Sequence, residues 1–294
     1  MTRKQELINQ FKKELSLRNY ANNSIETYAS YLGMFFNAMY GAPKPLPLQN
    51  IKDFLLSITN MNSRAMFVNS IRNFYNLVLK TPLSLDDIPY PRKTSYLPQI
   101  MSIQEVHRLI NGTQNIKHRA ILQLMYSCGL RISEVPEIEC NKQVCHIDSD
   151  RKTLLVKGAK GFKDRYVPLP LQTINLLKTY RKADPAGKWL FMGQNQQKYS
   201  VRSIQQVFYQ AKQRAGIYKK VTPHSLRHSR ATHLCEGGLD IYKLKEFLGH
   251  NNIKTTEIYL HLSKSALVSN TEMADMIIAQ AFLNKEMKLE FAHA

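Results

Sequence analysis

A chain of 294 residues is long enough for one large domain or two ordinary ones, and 44% hydrophobic residues can fill a real core. Forty-one Lys and Arg against 22 Asp and Glu leave a net charge of +19, an excess that points to a polyanion, with nucleic acid the usual one. No apolar run reaches the roughly eighteen residues of a membrane span, and the opening MTRKQELINQFKKEL is a charged amphipathic pattern without a signal-peptide core, so neither a membrane anchor nor secretion is expected.

The first eighty residues read as helices. Asn23 and Glu26 make an N-cap pattern, after which Ile25, Tyr28, Leu32, Phe35, Phe36 and Met39 recur at helical spacing. A Pro-rich turn at 41–47 follows. Phe67, Ile71, Phe74, Tyr75 and Val78 then mark another helix; these aromatics share one face, which suits a core better than a base-stacking platform. Residues 82–98 carry four prolines and no periodicity, and each proline blocks a helix and extends the residue before it. This stretch is read as a linker between a helical domain, 1–81, and a second domain, 99–294.

The second domain opens on a capping box from Ser102 to Glu105. A helical stretch over about 115–128 breaks at Gly129. Strand character at 152–157 and 165–169 flanks the basic, glycine-rich GAKGFKD, so the pair reads as a hairpin. Helices return after Pro170, interrupted by WLFM at 189–192. Ser269 and Glu272 cap a last helix with a wide apolar stripe of Met273, Met276, Ile277, Ala281 and Phe282. The fold class expected is mainly α with a small antiparallel β-sheet.

The cysteines, Cys128, Cys140, Cys145 and Cys235, form no CxxC pair. Cys140, Cys145 and His146 lie close together, but buried free thiols in a reducing cytoplasm fit better than a zinc site. His224 and His228 are spaced i, i+4, as in a metal pair, yet Ser225 stands where a metalloprotease needs Glu. No Walker loop is present, so ATP use is not indicated and no cofactor is expected.

Six residues of the second half form a different pattern: Arg131 after Cys-Gly-Leu, Lys160 at the hairpin tip, His224 and Arg227 on one helix face, His250 after Leu-Gly, and Tyr259 nine residues on. The string Gly129-Leu130-Arg131-Ile132-Ser133-Glu134 resembles the first arginine box of the tyrosine recombinases, the phage integrase family. His224-Ser225-Leu226-Arg227-His228 resembles their His-x-x-Arg box, and Leu248-Gly249-His250 with Tyr259 their last. Arg230 stands where many relatives carry an aromatic.

The resemblance implies a two-domain DNA clamp: a helical core-binding domain and a catalytic domain closing like a C around duplex DNA. It implies Tyr259 as nucleophile, forming a 3′-phosphotyrosyl intermediate. Arg131 and Arg227 would hold phosphate oxygens bidentately, Lys160 would protonate the leaving 5′-oxygen, and His250 and His224 would position phosphate or handle the tyrosine proton. Lys157 remains the alternative to Lys160. Glu134 would orient Arg131. Four protomers would exchange strands through a Holliday junction on a double-stranded recombination site in the cytoplasm, without metal or ATP, joined through the C-terminal tail and served by an accessory DNA-bending protein. The rival readings are a type IB topoisomerase, which shares the chemistry but needs no tetramer, and a non-catalytic DNA-binding protein.

Overall fold

The computed structural model describes residues 2–40, 46–84, 86–92, 97–141, 143–158, 164–184 and 187–262. The chain divides into two compact units, Met1–Tyr96 and Leu97–Ala294. No helix among the described residues is long and apolar enough to cross a membrane.

The first unit is helical: α1 (Arg3–Leu17), α2 (Asn22–Ala38), α3 (Leu48–Ser57) and α4 (Met61–Phe74), the last running on as a π-helical turn over Tyr75–Leu79. Its core is aromatic. Phe11, Phe35, Phe67 and Phe74 are buried, and edge-to-face contacts link Phe11 with Phe74, Phe35 with Phe54, and Phe54 with Phe67. Each such ring removes enough apolar surface from water to supply on the order of 2–3 kcal/mol, which explains why the expected stripe packs inward. The expected cap of α2 is not observed. The helix starts at Asn22 behind Ala21, with no side-chain cap, and Glu26 pairs instead with Lys12 at 2.7 Å. A long-range ion pair has taken the carboxylate that the capping pattern would use.

The second unit begins with α5 (Ile103–Asn111), whose capping box forms as expected: the Glu105 amide donates to Ser102 Oγ and the Ser102 amide to Glu105 Oε2. Then come α6 (Ile116–Ser127), β1 (Ile147–Asp148), β2 (Thr153–Val156), β3 (Arg165–Pro168), α7 (Leu171–Ala183), α8 (Val201–Arg214), α9 (Pro223–Glu236), α10 (Ile241–Leu248) and α11 (Lys254–Leu262). The three strands form one antiparallel sheet in order β1-β2-β3. Leu154, Val156 and Val167 point into the core while Tyr166 faces out, the two-residue period of a half-covered sheet. β1 has no signature in the sequence, being two residues long.

α6 lies at the centre of this unit, with Ala120, Ile121, Leu122, Leu124 and Met125 buried. A separate small core joins Ala231 of α9, Leu244 and Leu248 of α10, and Tyr259 of α11. The hairpin β2–β3 is closed at its base by the Gly158 amide donating to Asp164 Oδ1 at 2.8 Å. Lys160, expected at its tip, and the helix expected from Ser269 onward lie outside the described residues.

Candidate active site

The site is built where two helices end. α6 ends at Ser127 with Cys128 as its cap, and α10 ends at Leu248; next in each case comes a glycine in the left-handed region: Gly129 at φ +58° and Gly249 at φ +63°. That conformation turns the last carbonyls out of the helix, where they need donors. Arginines supply them. Arg227, buried on α9, donates from Nη1 to Gly129 O at 2.7 Å and from Nη2 to Leu248 O at 2.6 Å. Arg131 donates from Nη2 to Gly249 O at 3.3 Å. Two cations thus meet the negative ends of two helix dipoles, the favourable polarity.

Neither glycine tolerates a side chain. A Cβ at Gly129 would lie 2.8 Å from Phe247 Cε1, and one at Gly249 would lie 2.8 Å from Arg165 Cδ. The positive φ adds strain for any other residue.

Glu134 orders the cations. Its Oε1 accepts from Arg131 Nη1 and Arg165 Nη1, both at 2.9 Å; its Oε2 accepts from the Arg131 amide at 2.8 Å and from Arg165 Nη2 at 2.9 Å. Burial works against the charged carboxylate, but Arg165 and then Arg131 outweigh it and hold the Glu134 pKa below the usual carboxylate range. Arg165 also donates from Nε to Phe247 O at 3.2 Å, tying β3 to α10. The sequence reading made Glu134 a partner of Arg131; the structure gives it Arg165 as well.

Tyr259 exposes 1% of its surface. Its hydroxyl shares a 2.9 Å hydrogen bond with His228 Nδ1. Burial raises the Tyr259 pKa, while the charges of Arg227 and Arg131 pull it back. His250 Nδ1 contacts Thr256 Oγ1 at 2.9 Å, one turn of α11 before the tyrosine. Burial and then the charges of Arg227, Arg131 and Arg165 push the His250 pKa down to about 4. His224, on the first turn of α9, is lowered by desolvation and by Arg227 and Arg131, and His228 by desolvation, His224 and Arg227. All three rings are therefore neutral at pH 7, and the positive charge of the site resides in its arginines. Arg227 is itself pushed down to about 10 by burial and then by Arg131, and so remains protonated.

Five of the six residues singled out in the sequence thus share one electrostatic neighbourhood: Arg131, His224, Arg227, His250 and Tyr259. Lys160 is not among the described residues; Lys157, beside β2, is exposed. Two participants were missed. Arg165 entered the sequence reading only as the first residue of the expected strand 165–169, and only its buried carboxylate partner distinguishes it. His228 was weighed as half of a metal pair with His224, whereas its ring engages Tyr259. Among the described residues no group of three or more His, Cys, Asp or Glu side chains is placed to hold a metal ion.

The sequence profile of the phage integrase family matches residues 97–266. The tyrosine recombinase XerA of Pyrococcus furiosus is 30% identical over 289 residues, spanning 94% of this chain and 96% of that protein. Among solved structures, a XerH site-specific recombinase in a post-cleavage complex with a palindromic difH substrate aligns with a TM-score of 0.68 and 21% identity, over 88% of this chain and 82% of that one. A lambda integrase tetramer bound to a Holliday junction aligns with a TM-score of 0.71 and 15% identity, over 87% and 76%.

Replacing Glu134 by Gln removes the carboxylate between two buried or half-buried guanidinium groups, and should destabilise the chain by about 3 kcal/mol. Glu137→Gln, which breaks only the exposed pair with Lys198, serves as the control and should shift little. Urea denaturation followed by circular dichroism measures both; equal midpoints for the two variants would remove Glu134 from its ordering role.

Proposed function

The chain belongs to the phage integrase family of tyrosine recombinases, which cleave and rejoin DNA strands at specific sites, and we propose that its chemistry runs through Tyr259. The observation that carries this reading is the pair Arg131 and Arg227, fixed on helix-end carbonyls with the Tyr259 phenol in their field. The tyrosine oxygen attacks the scissile phosphorus and forms a phosphotyrosyl bond as the bond to the 5′-oxygen breaks. Charge that develops on the non-bridging oxygens meets two preorganised cations, an arrangement that typically contributes several kcal/mol to the transition state. A guanidinium carries five N–H donors. Arg227 gives two of its own to carbonyls and keeps others for phosphate.

Neutral imidazoles suit proton handling and hydrogen bonding to phosphate, which supports His224 and His250 in those roles. His228 holds the phenol before attack. Rejoining reverses cleavage: the 5′-hydroxyl of another strand attacks the phosphotyrosyl phosphorus and the tyrosine oxygen leaves. In this scheme the unit 1–96 serves as core-binding domain and the remainder as catalytic domain, with the net charge of +19 drawing the duplex to both. The site of action is the nucleoid in the cytoplasm.

Tyr259→Phe should abolish covalent attachment to DNA and leave binding nearly intact. A nicked suicide substrate would trap the unaltered chain on DNA and not the variant; an adduct formed by the variant would transfer the role to Tyr242 or Tyr218.

For the leaving oxygen, we place the general acid at Lys160, in the glycine-rich tip of the hairpin. Lys160→Ala should slow cleavage strongly, and a 5′-bridging phosphorothiolate should restore it, because a thiolate leaves without a proton. If Lys157→Ala shows the rescue instead, the acid is Lys157.

Assembly follows from the tail. Four protomers on two sites, with an accessory DNA-bending protein where the site requires one, would be joined head to tail by the helix expected from Ser269 docking on a neighbour. Deleting residues 269–294 should leave a folded chain that binds one site but forms no tetrameric synapse on a native gel. Loss of the thermal transition would instead assign the helix to its own core, and normal recombination would deny it both roles.

A further inference from the structure

Outside the active site, two cysteines face each other across a tight hairpin that no step of the recombination scheme uses. Residues 139–141 and 143–146 lie between the α6 region and β1. The Asn141 amide donates to Val144 O at 2.8 Å and the His146 amide to Glu139 O at 3.0 Å. These bonds fix the register: residues 139 and 146 form one hydrogen-bonded pair and residues 141 and 144 the next. Cys140 and Cys145 therefore occupy the non-hydrogen-bonded position between them, and they form an antiparallel bridge. In such a pair the Cα atoms lie about 4.5 Å apart with side chains on the same face, within the span of roughly 4.4–6.8 Å that a disulfide bridges.

The surroundings lock this register. Asn141 Oδ1 accepts from the amides of Gln143 and Val144, both at 2.8 Å, and Arg181 Nη2 donates to Cys140 O at 2.8 Å. Both cysteines are free thiols, and their sulfurs are in contact at 2.7 Å. The sequence reading placed these thiols in the interior. Instead Cys145 is exposed and Cys140 half-buried, while Cys128 is the buried one.

We propose that Cys140 and Cys145 form a reversible intrachain disulfide, which makes this hairpin a modification site for low-molecular-weight disulfides. The exposed Cys145, as thiolate, attacks one sulfur of such a disulfide; a mixed disulfide forms and one small thiolate leaves. Cys140 then gives up its proton and attacks Cys145 Sγ, forming the intrachain bond and releasing the second small thiolate. Two protein thiols are oxidised, one small disulfide is reduced to two thiols, and the two protons pass to the departing sulfurs.

The order of attack follows from the environment. Burial, and then the hydrogen bond and charge of Cys145, push the Cys140 thiol up to about 12, so it is the poorer first nucleophile. Once Cys145 is a mixed disulfide, the share due to Cys145 disappears, and its sulfur sits directly in front of Cys140.

The sequence supplies the assay. Lys142 lies between the two cysteines, with Arg131 before them and Arg151 after, so trypsin separates them into peptides 132–142 and 143–151. The full chain is incubated with oxidised glutathione, alkylated, denatured, digested and analysed by mass spectrometry. The expected product is the two peptides joined, lighter than their sum by two hydrogen atoms and separated again by dithiothreitol. Cys140→Ser should lose the joined product and retain glutathione on Cys145. Cys145→Ser should lose it and leave Cys140 alkylated. Recovery of the two peptides separately from the unaltered chain, each alkylated or each carrying glutathione, would overturn the proposal, as would a link from either cysteine to Cys128 or Cys235.

Discussion

One carboxylate organises the second unit. Glu134 accepts four hydrogen bonds, filling the capacity of an ionised carboxylate, from two arginines that arrive from different places: Arg131 from just past α6 and Arg165 from β3. Through Arg165 the same group reaches Phe247 at the end of α10. A helix terminus, a sheet edge and a second helix terminus are thereby held around one point charge. Taking that charge from water is expensive, and only such complete pairing makes its burial tolerable. The return is positional. Arginine side chains have many rotamers, and here Arg131 and Arg165 are each held by several hydrogen bonds before any phosphate arrives, which is the condition for electrostatic preorganisation.

The same economy of charge shapes the histidines. Desolvation and nearby guanidinium groups depress the imidazoles, most of all His250, which faces the charges of Arg227, Arg131 and Arg165. The site is therefore positive because of groups that do not titrate near neutrality, and its imidazoles are left free to exchange protons. Tyr259 completes the arrangement from a small apolar core with Ala231, Leu244 and Leu248, so the proposed nucleophile is also a packing residue. Its hydroxyl is the polar end of an otherwise buried ring, and a buried phenol takes a partner, which His228 provides.

Much of this was legible in the sequence, for reasons that differ by residue. Arg131, Arg227, His250 and Tyr259 stand in short strings whose order and spacing are distinctive, so local sequence was enough. The capping box at Ser102 is also local, and it forms. Arg165 was not legible, because its meaning lies in a partner 31 residues away across a sheet edge. His228 was left without a role once the metal pair was set aside, because an i, i+4 spacing does not say what faces it; α11 supplies the answer from 31 residues downstream. The cap expected at Asn23 failed for a similar reason, since Lys12 of another helix claimed Glu26. Nor did the spacing of Cys140 and Cys145 indicate a cross-strand pair, because the strands that align them are too short to leave a periodic signal.

Gly129 and Gly249 act without any side chain. Their carbonyls are the acceptors that hold Arg227 and Arg131, and the direction of each depends on a left-handed backbone beside Phe247 or Arg165. Chemistry assigned to arginine is thus written partly in backbone torsion. Any other residue at either position would have to displace Phe247 or Arg165 while holding a strained backbone, so a substitution there would unseat an arginine without altering its side chain.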